Sequence, residues 1–194
     1  MNHKVRYSIA SQMKEYDAIK QNWIPFIMFM QKPNHRSKVI NTDQFGFRFN
    51  YLNKKIDNIF EYSSSNKMVI GNSGVFGVGA TTDEFTLPSF LSKKTNNIYL
   101  NFGGRAYSGF QEILLFNKYI NKIKSLNEIL IVSGINDLFI INQSDDFNYD
   151  ESLMYNKNFF TYTMNKPQKK TFSKIADFFS NKESINNLNK SKKN

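Results

Sequence analysis

One feature constrains the fold of this chain most. It is a short apolar run followed by a serine that lies among glycines. The stretch reads Met68-Val-Ile-Gly-Asn-Ser-Gly-Val-Phe-Gly-Val-Gly79. A buried strand entering a glycine-lined turn leaves the serine hydroxyl exposed at the carboxyl edge of a sheet, where open α/β sheets place their ligands. Glycines suit such a turn because they tolerate positive φ and let a ligand approach the backbone. The alternative is an ordinary strand–helix turn with a solvent-exposed serine, because short glycine motifs are weak evidence.

Two later segments repeat the pattern of strand, turn and helix. Residues 97–112 join a short apolar strand to the turn Gly103-Gly-Arg-Ala106 and the start of a helix. Residues 128–138 contain a third apolar run that ends in Gly134-Ile-Asn-Asp137. Alternating strands and helices predict an α/β fold with a parallel sheet, right-handed crossovers and helices on both faces. We expect strands at 68–71, 98–102 and 129–132, and helices at 83–93 and 110–123.

Each expected helix carries its own signal. Thr81-Thr-Asp-Glu84 places hydroxyl and acidic groups at the start of the first helix, where they satisfy free amides and suit the helix dipole. The second helix has an apolar stripe at 3.6-residue spacing that we expect to face the core. The members of that stripe are Ile113, Leu114, Phe116, Tyr119, Ile120 and Ile123. Residues 1–35 read as an irregular or helical lead-in, with Trp23 and Phe26 as core or lid residues.

Composition limits the class of protein. A chain of 194 residues that is 40% hydrophobic can bury a sizeable core. The absence of cysteine excludes disulfides and thiolate chemistry and fits a reducing compartment. The N-terminus lacks the apolar core of a signal peptide, and the apolar run at residues 24–30 is far shorter than the roughly 20 residues of a membrane span. We therefore expect a cytoplasmic protein without a membrane span.

The net charge of +10 raises the question of a polyanionic partner. Lysines are spread along the chain and concentrate only after Lys166, which indicates a solvated tail and no nucleic-acid partner. That the protein is a basic nucleic-acid binder remains a hypothesis supported by its charge alone. No His, Cys or carboxylate cluster has metal-ligand spacing. The glycine stretch lacks the lysine of a P-loop and does not match Gly-x-Gly-x-x-Gly, so no cofactor is expected.

The alternation of strands and helices also predicts how the chain divides into segments. Residues 1–40 read as an N-terminal lead-in that packs on the core, and residues 41–141 as the α/β core. This alternation ends after Ile141, and residues 142–194 are predicted to be an irregular, partly helical basic tail.

The serine stretch, the glycine turn and Gly-x-Asn-Asp, in this order at successive strand ends, resemble the SGNH (GDSL-like) hydrolase family. The resemblance runs from about residue 41 to about residue 138. It implies a three-layer α/β/α fold with a doubly wound, mainly parallel, flavodoxin-like sheet. It also implies that Ser73 is the nucleophile of an acyl transfer. An oxyanion hole would come from the backbone amide of Ser73, the turn amides of Gly104 and Ala106, and the side-chain amide of Asn136.

A further segment, Asn41-Thr-Asp-Gln-Phe-Gly-Phe-Arg48, is similar to one that precedes the serine in carbohydrate-active SGNH relatives. That similarity implies a substrate-binding position for Arg48 at the rim of the site. An exposed arginine in a turn is the alternative. The same similarity implies O-acetyl groups on a glycan, or a small-molecule ester, as substrate.

The chain departs from the family pattern at the catalytic base. Asn72 stands where many relatives have aspartate, and the family's C-terminal Asp-x-x-His does not occur. The only histidines, His3 and His35, precede the serine, and nothing in the local sequence orients His35 as a base. Either the chain is truncated, with a sheet incomplete on its C-terminal side, or it is a diverged member with impaired chemistry. Loss of the strand rhythm after Ile141 favours truncation.

Two functions follow from this departure. The first is a serine esterase with activity impaired by the missing histidine, because general-base assistance is typically worth about 10²–10⁴-fold. The alternative is a non-catalytic SGNH-like module, or a fragment, that binds a glycan or a protein. An incomplete sheet would also expose an edge strand and favour self-association.

Overall fold

A computed structural model describes residues 3–50, 58–61 and 66–142. These residues belong to the first of two units, Met1–Lys157, and the second unit, Asn158–Asn194, lies outside them. Residues 143–194 of the predicted tail are therefore outside the described part of the chain. The described elements are, in chain order, α1 (His3–Ile9), α2 (Met13–Ala18), β1 (Gln21–Ile24), β2 (Met28–Gln31), β3 (Asn66–Gly71), α3 (Ser73–Phe76), α4 (Leu87–Thr95), β4 (Ile98–Gly103), α5 (Gly109–Tyr119), β5 (Leu126–Val132) and α6 (Ile135–Asn142).

The main sheet has three parallel strands in the order β4-β3-β5. Gly71 at the end of β3 lies opposite Gly103 of β4 and Val132 of β5, so all three strands end at one edge. The predicted α/β class with a parallel sheet is confirmed, and each expected strand is present and one to three residues longer than predicted. This shared edge receives the segments that follow the three strands.

Strands β3 and β4 are stabilised by apolar burial. Met68 and Val69 of β3 and Leu100 of β4 are fully buried, as expected for strands that are covered on both faces. In contrast, β5 has exposed residues along almost its whole length. The core therefore centres on β3 and β4, and β5 lies at its margin.

The helix expected at 83–93 is two separate elements. A 3₁₀ turn occupies Asp83–Phe85, and Thr82 caps it by accepting a hydrogen bond from the amide of Glu84. Helix α4 begins only at Leu87, after Thr86 accepts from the amide of Ser89. The displacement follows from Pro88, because a proline lacks the amide hydrogen and is tolerated only in the first helical turn.

The helix expected at 110–123 ends earlier, and its buried face shares only Tyr119 with the predicted stripe. Helix α5 ends at Tyr119, and a 3₁₀ turn follows at Ile120–Lys122. The buried side chains are Gln111, Glu112, Leu115 and Tyr119, whereas Ile113 is 60% exposed. Gln111 is drawn inward because its side chain completes a capping box with Ser108 and donates to the carbonyl of Ile27 at 2.7 Å.

The N-terminal lead-in contains a β-hairpin in addition to the two short helices. Strands β1 and β2 pair antiparallel. Trp23 and Phe26 are 56% and 82% exposed, so a place in the core is wrong for them, and the alternative of a lid stays a prediction. Phe29 is buried instead, and its carbonyl accepts a hydrogen bond from the hydroxyl of Tyr107 at 2.7 Å. The hairpin is thus attached to the segment that follows β4.

Aromatic rings fill the space beside β4. Five of them contact one another with ring centroids 4.4–6.3 Å apart; they are Phe45, Phe47, Phe60, Phe102 and Tyr119. Most of these pairs are edge-to-face or tilted, as ring quadrupoles favour. None of the described helices is long and apolar enough to cross a membrane.

Candidate functional site

Ser73 lies at the first position of α3, directly after β3. The side chain of Asn72 caps this short helix by accepting a hydrogen bond from the amide of Gly74 at 3.0 Å. Gly77 ends the helix with a φ of 87°, a left-handed conformation that suits glycine, and donates to the carbonyl of Ser73. Ser73 is half-buried. Within the described part of the chain, its hydroxyl has no hydrogen-bond partner.

Two glycines allow the serine turn to fit between the neighbouring strands. A Cβ added to Gly103 would lie 2.0 Å from the backbone nitrogen of Phe76. A Cβ added to Gly71 would lie 2.2 Å from the carbonyl oxygen of Val132. Both neighbouring atoms are backbone and cannot move aside like a flexible side chain. The absence of a side chain at these two positions is therefore what brings the ends of β3, β4 and β5 together around Ser73.

In the turn after β4, the backbone amide of Gly104 is hydrogen-bonded and that of Ala106 is not, within the described residues. The amide of Gly104 donates to the carbonyl of Gly71 at 2.9 Å. Because this hydrogen bond occupies it, Gly104 does not fit the oxyanion-hole role that the family resemblance implied. Ala106 has a φ of 57°, which is unusual for a residue with a Cβ and costs roughly 1–2 kcal/mol. Its amide has no hydrogen-bond partner among the described residues.

The turn after β5 is bonded to the turn after β4. Asn136, in the first turn of α6, donates its side-chain amide to the carbonyl of Tyr107 at 2.8 Å. The carboxylate of Asp137 accepts from the amide of Gly109 at 2.9 and 3.1 Å, at the N-terminus of α5. A carboxylate at a helix N-terminus is stabilised by the helix dipole. Asn136 and Asp137 therefore hold the 106–109 loop against the end of β5.

Arg48 is a structural residue, and the rim position implied for it is wrong. Its side chain is fully buried and donates to the carboxylate of Asp83 at 2.7 Å. Further donations go to the hydroxyl of Tyr16 and to the carbonyls of Val39, Phe76 and Gly77. Two of those carbonyls lie at the end of α3. Arg48 thus stabilises the helix that follows Ser73 from inside the protein, where a ligand has no access, and it is not the exposed arginine of the alternative interpretation.

His35 is not arranged as a base for Ser73. Its Nε2 atom is buried and has no hydrogen-bond partner within the described residues. Its backbone amide donates to the hydroxyl of Thr42, and its carbonyl accepts from the amide of Thr42. Burial and the nearby Lys32 lower the pKa of His35 below its ordinary value. The histidine belongs to the turn that precedes the buried Arg48. The side chain of His3 lies outside the described part of the chain.

One acidic group near this edge was missed by sequence reasoning. Glu112 is only 2% exposed, and burial raises its pKa to about 7. It hydrogen-bonds with the side chain of Ser133, at the end of β5, and feels the charge of Asp137. Its Oε1 atom has no partner among the described residues. A glutamate in the first turn of a helix carries no sequence signal for burial, whereas Asp137 is the last residue of the Gly-x-Asn-Asp segment.

Two surface cavities lie elsewhere. One, of about 380 Å³, is lined by Arg36, Lys38, Asn41, Phe49, Thr82, Asp83 and Glu84. The other, of about 330 Å³, is lined by Glu84, Phe85, Phe90, Lys93 and Lys94. Neither includes Ser73 or Asn136. Among the described residues, no three His, Cys, Asp or Glu side chains form a group that could hold a metal ion.

Comparison with known proteins adds no family assignment. No protein-family model matches the chain, and no curated protein matches it significantly.

Proposed function

We propose that this chain is an SGNH-type α/β module in which the shared carboxyl edge of β3, β4 and β5 forms an acyl-ester site. The observation that carries the proposal is the hydrogen bond from Asn136 to Tyr107, at 2.8 Å. It joins the turn after β5 to the turn after β4, and Gly103 packs that second turn against the serine helix. Three sequence segments that resemble the family's blocks therefore contact one another at one edge.

The chemistry follows from the groups at this edge. Ser73 is the proposed nucleophile. The amides of Ser73 and Ala106, together with the second N–H of the Asn136 side chain, are the proposed donors to a developing oxyanion. The left-handed Ala106 supports this role because strained backbone is concentrated at functional sites. The substrate class we propose is a small ester or an O-acetyl group on a glycan.

The strand order supports the three-layer arrangement of that family. From β3 the chain crosses to β4 on one side, and from β4 it returns past β3 to β5 on the other. Since parallel crossovers are right-handed, such a reversal places the connecting helices on opposite faces of the sheet. The crevice for a ligand then lies where the direction reverses, between the ends of β3 and β5. Ser73 and Asn136 follow those two strands.

A second candidate, a non-catalytic module that binds a glycan or a protein, is favoured by one observation. The hydroxyl of Ser73 has no hydrogen-bond partner in the described part of the chain, and the Nε2 atom of His35 has none either. A serine without a base is a poor nucleophile. We therefore expect esterase activity well below ordinary enzymatic turnover.

The deciding experiment is covalent labelling with a fluorophosphonate probe, followed by intact-mass measurement. The native chain is compared with Ser73→Ala, with Asn136→Ala and with Ser8→Ala, a control at an exposed serine of α1. Slow labelling that is lost in Ser73→Ala, and lowered about 10²-fold in Asn136→Ala, supports the esterase site. No labelling of the native chain at millimolar probe excludes an activated serine and leaves the binding module. Equal labelling of the native chain and Ser73→Ala removes Ser73 from the site.

A further inference from the structure

Strand β5 lies at the edge of the described sheet and exposes apolar side chains there. Among the described strands, β5 pairs only with β3, so no described strand pairs with the other edge of Glu128–Val132. The side chains on both faces of the strand are exposed. Ile129, Leu130, Ile131 and Val132 are 37–68% exposed. Contiguous apolar surface of this kind marks an interaction site more often than it marks free surface.

The apolar surface continues into the next helix. Ile135, Leu138, Phe139 and Ile141 of α6 are 42–59% exposed. Only Ser133 and Gly134 separate the strand from this helix. We call the exposed apolar residues of β5 and α6 the β5–α6 surface.

From Glu128 to Val132, β5 lacks the usual protections of an edge strand, and the extra residue that interrupts its pairing with β3 lies before this stretch, between Leu126 and Glu128. Natural edges carry lysine, proline, a bulge or an inward-pointing charge that prevents pairing with another strand. The only charged residue in β5 is Glu128. Its carboxylate accepts from Nζ of Lys67 at 2.7 Å and from the hydroxyl of Tyr99 at 3.0 Å. Because Glu128 is bound to residues of β3 and β4, its charge does not prevent another strand from pairing with the open edge.

We propose that the β5–α6 surface is the interface with a second copy of this chain, formed by antiparallel pairing of β5 with its two-fold mate. A second copy presents the same unpaired edge, so a two-fold axis matches the surface with itself. A register centred on Leu130 sets Leu130 opposite its mate and Ile129 opposite Ile131. Apolar side chains then meet apolar side chains on both faces, and Glu128 of each copy lies opposite Val132.

Charge favours the antiparallel mode over a parallel one. Lys122 and Lys124 precede β5, whereas Asp137 follows it. Antiparallel pairing brings the basic end of one strand toward the acidic end of the other. Parallel pairing would place like charges side by side. The net charge of +10 opposes any association, so we expect the dimer to strengthen as added salt screens that repulsion.

The oligomeric state of the full chain tests the surface. Sedimentation velocity is measured from about 1 µM to about 200 µM, the range in which transient interfaces saturate. The native chain should shift from monomer to dimer, and Ile131→Lys should remain monomeric. Ile113→Lys on α5, at a site 60% exposed, is the matched control and should dimerise like the native chain. Circular dichroism checks that both variants fold.

The register is tested separately, because the chain contains no cysteine. Directly opposed residues of an antiparallel pair have Cα atoms about 4.5–5.5 Å apart, within reach of a disulfide. Leu130→Cys should form an intermolecular disulfide under mild oxidation, and Ile113→Cys should not. A native chain that stays monomeric at every concentration overturns the proposal. This holds whether the edge is exposed to solvent or covered by residues of the same chain. A dimer that survives Ile131→Lys, or that cross-links equally at both positions, overturns it as well.

Discussion

Arg48 and Asp83 form a buried ion pair, with the guanidinium Nε 2.7 Å from the carboxylate oxygen. The two residues lie 35 positions apart in the sequence. Asp83 also accepts from the backbone and side-chain amides of Asn41. The pair therefore links the segment before β3 to the 3₁₀ turn before α4, and the same guanidinium binds the carbonyls that end α3.

Replacing Arg48 should be among the most destabilising single changes in the protein. Arg48→Met leaves a buried carboxylate without its cation, and we expect a loss of about 3–5 kcal/mol in the free energy of unfolding. Urea denaturation measures the loss. Lys94→Met, on the exposed side of α4, is the control and should stay within about 0.5 kcal/mol of the native chain. Similar midpoints for the two variants would show that the buried network contributes little.

Gly103 should not tolerate even one added methyl group. Gly103→Ala places a Cβ 2.0 Å from the backbone nitrogen of Phe76, so β4 and α3 must separate. We expect a loss of about 1–3 kcal/mol or more, as for other overpacked cores. Gly74→Ala is the matched control, because its Cβ would meet only the Asn72 side chain, at 3.4 Å. Thermal unfolding of both variants decides the point, and equal melting temperatures would contradict the close packing.

Glu112 should make stability depend on pH. Burial raises its folded pKa from 4.5 to about 7, so the folded state binds a proton that the unfolded state has already released between those values. Stability should therefore fall as pH rises from about 4.5 to about 7, by up to about 3 kcal/mol, and change little from this group above that range.

Glu112→Gln isolates that effect. The variant should be more stable than the native chain above pH 7, and the difference should shrink toward pH 5. Asp43, whose pKa is raised by burial to about 6, adds a slope of the same sign to both proteins and cancels in the comparison. Urea denaturation at pH 5, 6, 7 and 8 gives the two curves. Parallel curves would mean that Glu112 is not the titrating group.

Asp137 should stabilise the loop that carries Ala106. Asp137→Ala removes both acceptors of the Gly109 amide at the N-terminus of α5, and we expect a loss of about 1–3 kcal/mol. Asp137→Asn keeps one acceptor oxygen and loses the charge, so its effect should be clearly smaller. Thermal unfolding ranks the two variants. If the asparagine variant is as unstable as the alanine variant, the charge at the helix dipole is the main contribution.

Local pattern was sufficient to predict the elements at the site edge. The strands at 68–71, 98–102 and 129–132 are all present, because short runs of apolar residues that end near a glycine favour a strand. The place of Ser73 at a strand–helix junction followed from the same reasoning. The helix expected at 83–93 begins instead at Leu87, although the signals for that start, Thr86 and Pro88, are local.

The buried face of α5 could not be predicted from periodicity. Its apolar stripe predicted burial of Ile113, yet Gln111 and Glu112 face the interior. Gln111 is buried because its amide reaches the carbonyl of Ile27, 84 residues earlier. A polar side chain is buried where a partner satisfies it, and the partner is supplied by distant sequence.

The sequence by itself determined the alternation of strands and helices and the glycine-lined position of Ser73, since both depend on residue spacing and backbone freedom. Only the tertiary structure decided that β3 lies between β4 and β5, so that Asn136 reaches the loop after β4. It also decided that Arg48 is buried and that the amide of Gly104 is already bonded. These outcomes depend on hydrogen bonds between residues far apart in the chain, and local sequence does not specify which donor finds which acceptor.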